Sequence, residues 1–204
     1  MTADRRPTPA AETTKGQWRT RLKAARRAIP ATSRAAEASA LVTALLAKGP
    51  ELTGTTVCAY LPVGSEPGSP EMVESLHQSG IRVLLPVVGA QGPLDWAVYT
   101  GRDGLRPGPF GLQEPAGPRL GCAAIRTAGL LLVPALAVDR SGVRLGRGGG
   151  YYDRSLPAVD PRATLAGVVR DEEFLDDRLP AEPHDVLMTS VLTPHGGLRS
   201  LVSG

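Results

Sequence analysis

Few cysteines and no long apolar segment occur in this sequence, and each shortage excludes a class of protein. Its two cysteines, Cys58 and Cys122, lie far apart and fit no metal or redox spacing, which favours reduced, inert thiols of a cytosolic protein. The longest apolar run covers residues 128–138 and contains Pro134, so it is too short for a bilayer, which takes about 20 residues. The polar N-terminus has no apolar stretch of the secretory type. We therefore expect a cytoplasmic protein that does not associate with membranes.

The net charge of +3 is unevenly distributed along the chain. Residues 1–27 hold eight basic side chains against two acidic ones, so they carry +6 and the remaining 177 residues carry −3. A basic segment on a mildly acidic body can bind nucleic acid, act as an organelle presequence or supply cations to a phosphate site. It can equally be a solvated helix face. Lys15 and Arg19 are four residues apart, so they share one face of a helix.

Helical and strand patterns alternate along the chain. Residues 1–12 lack periodic apolar positions and predict a disordered tail before a single domain over residues 13–204. Helices are predicted from Thr14 to just before Pro30, over 33–48, and from Ser69 to Gly80. The predicted strands are residues 55–63, 81–88, 94–99, 129–133, 164–169 and 186–192, with a loop rich in glycine and proline over 101–118. This alternation predicts an α/β fold with helices on both faces of a largely parallel sheet.

Residues 144–154, Arg-Leu-Gly-Arg-Gly-Gly-Gly-Tyr-Tyr-Asp-Arg, form the segment in which we expect ligand binding. Four of the five residues at 146–150 are glycine, which permits positive φ angles and a close approach of the backbone to a ligand. Amides in such a loop cradle anions, and the flanking arginines can bind phosphate oxygens bidentately. Because the loop follows a buried strand, it should lie at the carboxyl edge of the sheet, where open α/β folds bind ligands.

This segment matches neither common phosphate-binding motif. Tyr151 stands where the dinucleotide pattern has its third glycine, and the Walker A sequence Gly-Lys-Ser/Thr is absent. A flexible surface turn would explain the glycines, but the two adjacent tyrosines and the interleaved arginines favour a functional loop. Asp153 suits Mg²⁺, which binds one or two carboxylates together with phosphate oxygens. A helix-stabilising acid in the first turn explains Asp153 equally well.

Residues 133–154 closely resemble the signature of the 5-formyltetrahydrofolate cyclo-ligases, also called 5,10-methenyltetrahydrofolate synthetases. The resemblance rests on Val133-Pro134-Ala-Leu-Ala-Val-Asp139 and on Gly142 followed by Arg144 to Arg154. Further similar segments follow in the right order over residues 15–193: Lys15-x-x-x-Arg19, Tyr60 to Glu66, Gly111 to Pro115 and Leu179 to Asp185.

The resemblance implies a three-layer α/β/α fold and an ATP- and Mg²⁺-dependent conversion of 5-formyltetrahydrofolate to 5,10-methenyltetrahydrofolate, with release of ADP and phosphate. The implied ATP contacts are Lys15, Arg19, Arg144, Leu145, Gly146, Arg147, Gly148, Gly149, Gly150, Tyr151 and Tyr152. The implied folate contacts are Leu61, Glu66, Arg147, Gly148, Gly149, Gly150 and Tyr151. Arg147 and Tyr151 would be catalytic, and Asp153 and Asp185 would hold magnesium.

Other interpretations of these residues remain open. Leu61 suits a plain core position, Glu66 a solvated loop acid and His184 a polar loop residue. A non-catalytic paralogue with the same fold could bind RNA or another ligand, and another ATP-dependent enzyme could use the same scaffold. The presence of Arg147, Tyr151 and Asp153 together disfavours a pure binding protein, and nucleic acid is a disfavoured partner. We expect a monomer that binds small-molecule substrates.

Overall fold

The computed structural model describes residues 13–89 and 92–201, so the tail predicted over residues 1–12 lies outside the described part. The α-helices of the described residues are α1 (Lys15–Ala28), α2 (Ala31–Leu46), α3 (Gly49–Leu52), α4 (Pro70–Gln78) and α5 (Tyr151–Ser155). The strands there are β1 (Thr56–Cys58), β2 (Arg82–Val87), β3 (Asp95–Val98), β4 (Leu105–Pro107), β5 (Gln113–Pro115), β6 (Ala128–Pro134), β7 (Ala137–Asp139), β8 (Arg144–Leu145), β9 (Thr164–Val168), β10 (Phe174–Leu175), β11 (Ser190–Thr193) and β12 (Gly197–Ser200).

A mixed sheet of seven strands forms the middle layer, in the order β12-β11-β9-β6-β1-β2-β3. The five inner strands pair in parallel, whereas the edge strands β12 and β3 pair antiparallel with their neighbours. From β1 the chain adds β2 on one side, and later adds β6, β9 and β11 on the other. The connections therefore reverse direction between β1 and β6. In open α/β sheets, such a switch point opens a crevice at the carboxyl ends of the strands.

Alternate residues of the inner strands pack into two separate cores, as the period of two along a strand requires. In β1, Val57 faces the core with α2 and α4, while Cys58 faces the core with Ile125 and Leu156. The second face is covered by α5 and by short 3₁₀ helices at Cys122–Thr127 and Leu156–Ala158. The sheet thus lies between helical elements on both faces, and the predicted α/β/α fold is confirmed.

Helix α1 packs on a separate small sheet in the order β10-β7-β8. Its buried side chains Trp18 and Leu22 share a core with Ala137, Leu145 and Leu175 of that sheet. The helix begins where the sequence predicts, because Thr14 forms a capping box with Gln17. This docking places the first turns of α1 beside the loop that follows β8.

Three predicted boundaries are wrong. The strand predicted over 186–192 begins only at Ser190, and the other two predictions fail for local reasons. The strand predicted over 55–63 ends at Cys58. Ala59 still donates to the carbonyl of Leu84, but the chain then turns through Gly64, whose φ is 65°. The loop predicted over 101–118 contains the two-stranded sheet β4–β5. Strands of three residues are too short to show a periodic pattern.

Both cysteines are free, Cys58 buried and Cys122 exposed. Burial raises the pKa of the Cys58 thiol to about 12, so it stays protonated and unreactive at neutral pH. Within residues 13–89 and 92–201, no helix has the length and apolar character needed to span a bilayer.

Candidate active site

A cleft of about 520 Å³ lies at the carboxyl ends of β1 and β6, at the switch point of the large sheet. One wall is polar and consists of the segment after β7: Arg144, Gly146, Arg147, Gly148, Gly149, Gly150, Tyr151, Tyr152 and Asp153. The facing wall comes from the segment after β1: Tyr60, Leu61, Val63 and Glu66. Apolar side chains of other elements complete the cleft: Leu85, Pro86, Val88, Leu94, Phe110, Leu112 and Pro134, together with Gln113.

The glycine-rich loop, defined as residues 146–150, joins β8 to α5. Gly148 and Gly150 have φ angles of 104° and 70°, a region that side chains with a Cβ rarely adopt. The guanidinium of Arg19 donates to the carbonyl of Gly146 at 3.0 Å, and that of Arg154 donates to the carbonyl of Gly149 at 3.2 Å. The loop is therefore both dependent on glycine and fixed from two sides by arginines.

Arg144 is a buried cation beneath this loop. Its side chain is 7% exposed, it donates to the carbonyl of Pro134 at 3.2 Å, and its Nη2 forms an ion pair with Oδ1 of Asp153. Burial lowers the pKa of Arg144, and the nearby Asp153 carboxylate opposes that shift. Arginine keeps its charge in proteins even so. Arg144 therefore provides a fixed positive charge at the end of β6 and orients Asp153, whose side chain is 40% exposed.

Arg147 joins the two walls of the cleft. Its Nη1 donates to Oε1 of Glu66 at 3.1 Å, and Oε2 of Glu66 accepts from the backbone amide of Val63 at 2.9 Å. The Arg147 side chain is 56% exposed, whereas that of Glu66 is mostly buried. The Glu66 carboxylate is thus fixed by two hydrogen bonds and is not a solvated loop acid. Arg147 makes a single exposed contact, so its guanidinium can be redirected to a ligand.

Lys15 and Asp185 meet beside the cleft, outside its lining. The Lys15 ammonium lies 2.9 Å from Oδ2 of Asp185 and 3.5 Å from Oε1 of Glu182. Burial opposes ionisation of Asp185, but hydrogen bonds from Lys15 and from the backbone of Glu182 outweigh it and lower its pKa. Glu182, His184 and Asp185 offer three metal-ligand atoms within 4.8 Å of one another. The ammonium of Lys15 already pairs with two of these groups, Glu182 and Asp185.

The structure brings most of the predicted site residues together. Leu61, Glu66, Arg144, Gly146, Arg147, Gly148, Gly149, Gly150, Tyr151, Tyr152 and Asp153 all line the cleft. Lys15, Arg19 and Asp185 lie next to it. The side chain of Leu145 instead points into the core that α1 covers, which leaves only its backbone near the cleft. Leu61 both lines the cleft and packs against the core. The roles of these residues stay predictions.

Several lining residues were not predicted from the sequence. Phe110 is 78% exposed and has a φ of 59°, a conformation that is rare for a bulky residue. The Tyr60 hydroxyl donates to the carbonyl of Pro67 at 2.8 Å, which fixes the two ends of the segment after β1. Tyr152, in contrast, is a predicted ATP contact, and its buried hydroxyl has no hydrogen-bond partner among the described residues. Burial, and then the charge of Glu66, raise its pKa, so it stays a neutral donor. The sequence carries no periodic pattern that would have identified Phe110, because it lies in a short turn.

The fold and the cleft define the class of protein. It is an α/β protein with a cleft, lined by a glycine-rich loop, at the switch point of a mixed sheet, which is where such folds bind ligands. A model of the 5-formyltetrahydrofolate cyclo-ligase family matches residues 11–194, and the chain belongs to this family. The expectation of an enzyme of this family is thereby confirmed.

Similar proteins agree with this assignment. The 5-formyltetrahydrofolate cyclo-ligase of Mycolicibacterium smegmatis is 50% identical over 197 residues, which cover 92% of this chain and 97% of that protein. The Escherichia coli protein of the same name is 29% identical over 74% of this chain and 85% of its own length. The NMR structure of Aquifex aeolicus 5,10-methenyltetrahydrofolate synthetase has a TM-score of 0.78 at 25% identity, covering 93% of this chain and 94% of that one. A Mycoplasma pneumoniae 5,10-methenyltetrahydrofolate synthetase, 19% identical with a TM-score of 0.66, shares the fold over 87% of this chain and 96% of its own.

Proposed function

We propose that this protein converts 5-formyltetrahydrofolate and Mg²⁺-ATP to 5,10-methenyltetrahydrofolate, ADP and phosphate. The observation that carries the proposal is the contact between Arg147 and Glu66 across one cleft. It brings the loop implied in ATP binding next to the segment implied in folate binding. Membership of the cyclo-ligase family supports the same substrates.

The two walls of the cleft suit two chemically different ligands. The glycine-rich loop, Arg144 and Arg147 suit a triphosphate, because exposed glycine backbone and guanidinium groups both bind phosphate oxygens. Leu61, Leu94 and the other apolar lining residues suit a flat heterocycle such as a pterin ring. A ring on the apolar wall would have its substituents near Arg147.

The proposed chemistry proceeds by phosphoryl transfer and then ring closure. The N5-formyl oxygen attacks the γ-phosphorus of ATP, the bond to the bridging β–γ oxygen breaks, and ADP leaves. N10 then attacks the activated formyl carbon and loses its proton, and the phosphate leaves with the former formyl oxygen. Such a transfer requires alignment and charge stabilisation more than an acid or base.

Arg147 and Tyr151 are the residues to which we assign this chemistry. The guanidinium of Arg147 can move from Glu66 to the oxygens of the transferring phosphoryl group, whose negative charge is spread over several atoms. The ring of Tyr151 lies under the guanidinium of Arg154 at 5.1 Å, and its carbonyl accepts from Ser155 at 2.7 Å. Tyr151 is thus held as a rigid end of the loop and excludes water from one side of the cleft.

Asp153 fits the magnesium role better than Asp185. Asp153 lines the cleft with an exposed carboxylate, and carboxylate oxygens are ligands that Mg²⁺ prefers. Asp185 lies outside the lining and its Oδ2 accepts from Lys15 and from the amide of Glu182. A bound Mg²⁺ would supply charge neutralisation to the phosphates. Asp153, oriented by Arg144, would hold it.

The test is a coupled measurement of both products. Purified protein with 5-formyltetrahydrofolate and Mg²⁺-ATP should form the ultraviolet-absorbing methenyl product and one ADP per turnover. Reactions without ATP, and reactions without the folate, should give neither product. Absence of methenyl product with folded protein and fresh substrate would refute the proposal. ADP release without folate would indicate another ATP-dependent reaction on this scaffold.

A further inference from the structure

Arg170, at the carboxyl end of β9, is one of the most buried charges of the described residues. Its side chain is 3% exposed, yet it does not line the cleft. Its Nε donates to Oε2 of Glu37 on α2 at 2.7 Å, and its Nη1 donates to the backbone carbonyl of Ser65 at 3.2 Å. One guanidinium therefore connects a helix of the outer layer with the segment after β1.

A second buried arginine completes this cluster. Glu173 accepts from the backbone amide of Arg170 at 2.9 Å, and from Nε and Nη2 of Arg26 at 2.6 and 2.8 Å. Arg26 also donates to the carbonyl of Ala135, just after β6. Two positive and two negative charges thus neutralise one another across the carboxyl ends of β9, β6 and β1. A buried cluster with all its partners in place holds its backbone contacts rigidly.

The position of Ser65 gives this rigidity a consequence for the cleft. Ser65 directly precedes Glu66, the carboxylate that accepts from Val63 and from Arg147. The Ser65 carbonyl is held by Arg170 from one side, while the Glu66 side chain faces the cleft on the other. A shift of the Ser65 peptide would therefore displace Glu66 and the guanidinium paired with it.

We propose that Arg170 is a positioning residue for the folate-binding segment, acting through the carbonyl of Ser65 on Glu66. The identity of the ligand in this inference rests on the proposed function. The contact between Arg170 and the Ser65 carbonyl is observed independently of that function. Arg170 lies outside the cleft lining and reaches the cleft through Ser65 on the wall implied in folate binding, so its replacement should weaken folate binding far more than ATP binding.

The experiment compares three variants with the wild type. Arg170→Met keeps most of the side-chain volume and removes the guanidinium that reaches Ser65 and Glu37. Glu37→Gln keeps Arg170 and its bond to Ser65, and removes only the negative charge on α2. Leu45→Ala opens a cavity in the core that α2 covers and lowers stability without touching the cluster.

Arg170→Met should raise the KM for 5-formyltetrahydrofolate on the order of tenfold, since small displacements of binding groups are costly. The KM for ATP should stay within about twofold of wild type, as should both KM values in the other two variants. The Val63 amide donates its hydrogen bond to Glu66. Its hydrogen exchange should be faster in Arg170→Met than in the wild type, and unchanged in Glu37→Gln and Leu45→Ala. In Arg170→Lys, which keeps the charge but loses the planar fork, the folate KM should be intermediate.

Two results would overturn the inference. One is a wild-type folate KM in Arg170→Met with a lowered melting temperature, which would make Arg170 purely structural. The other is an equal rise of the folate KM in Leu45→Ala, which would make the effect a general consequence of instability. If the wild type itself forms no methenyl product, the proposed function fails. The exchange rate of the Val63 amide then still decides whether Arg170 orders the segment.

Discussion

Arg147 should matter much more for turnover than for stability. Its side chain is 56% exposed, and among the described residues its one hydrogen-bonding partner is Glu66. Exposed ion pairs of this kind contribute about 0–1 kcal/mol to stability. For a domain of this size, 1 kcal/mol shifts the melting temperature by about 2–4 °C. Arg147→Ala should therefore unfold within about 4 °C of the wild type.

The expected loss of activity in the same variant is far larger. Removing one donor that stabilises the charge of a transition state costs about 10²–10³ in kcat, or about 2.7–4 kcal/mol. Arg147→Lys keeps the charge but cannot bind two oxygens through a planar fork, so its kcat should fall between those of Arg147→Ala and the wild type. The assay is kcat at saturating 5-formyltetrahydrofolate and ATP, measured beside the melting temperature of each variant.

Arg144 provides the matched control, because it is an arginine of the same segment that is buried. Arg144→Ala breaks a pair in which Arg144 is 7% exposed and Asp153 40% exposed. Breaking buried pairs costs about 3–5 kcal/mol, and the partial exposure of Asp153 places this one at the lower end. Its melting temperature should fall by about 6–12 °C. Near-normal turnover in Arg147→Ala, or a fall in its stability as large as that of Arg144→Ala, would refute the reasoning.

Three further outcomes follow from contacts elsewhere in the structure. Asp153→Asn should raise the Mg²⁺ concentration for half-maximal rate by at least about tenfold; an unchanged magnesium titration would remove Asp153 from the metal site. Burial opposes ionisation of Asp171, but hydrogen bonds from the β11–β12 turn outweigh it and lower its pKa. Because the folded-state pKa lies below the unfolded value of about 3.9, Asp171 stabilises the fold above that value, and this contribution is lost as the pH falls through the folded-state pKa. Between about pH 5 and pH 2, the melting temperature of Asp171→Asn should therefore fall less than that of the wild type, and equal falls would contradict this. Gly142 has a φ of 86° and a Cβ there would overlap the carbonyl oxygen of Met188, so Gly142→Ala should lower the melting temperature by about 5–10 °C. Gly54→Ala, at a φ of 76° in open space, should lower it less.

The inner strands β6 and β9 could be predicted from the sequence because they are apolar runs, whereas the predictions for β1 and β11 were wrong by several residues at one end. Residues 129–133 and 164–169 were predicted as strands, and β6 and β9 lie there within one residue at the start and end. The small sheet of β7, β8 and β10 was not predicted. Its strands have two or three residues each, and their pairing depends on contacts between distant parts of the chain rather than on local periodicity.

The candidate site, like the fold, could be predicted from the sequence only in part. The glycine-rich loop was predictable because glycine, arginine and tyrosine at adjacent positions carry their chemistry locally. The role of Arg170 was not predictable, because it depends on hydrogen bonds to Ser65 and Glu37, which lie 105 and 133 positions earlier in the chain. Phe110 was missed since an aromatic residue in a turn shows no pattern until the turn is placed beside the cleft.

The docking of α1 also determines when the site can form during synthesis. Lys15 pairs with a residue 170 positions later, and Arg19 and Arg26 bond to residues 127 and 147 positions later. Contacts between such distant positions form late, because a long loop must close before they stabilise anything. Helix α1 therefore lacks these partners until the residues up to Asp185 have emerged from the ribosome. A nascent chain that stops short of Asp185 lacks β11 and β12 as well as the carboxylate that anchors Lys15 beside the cleft.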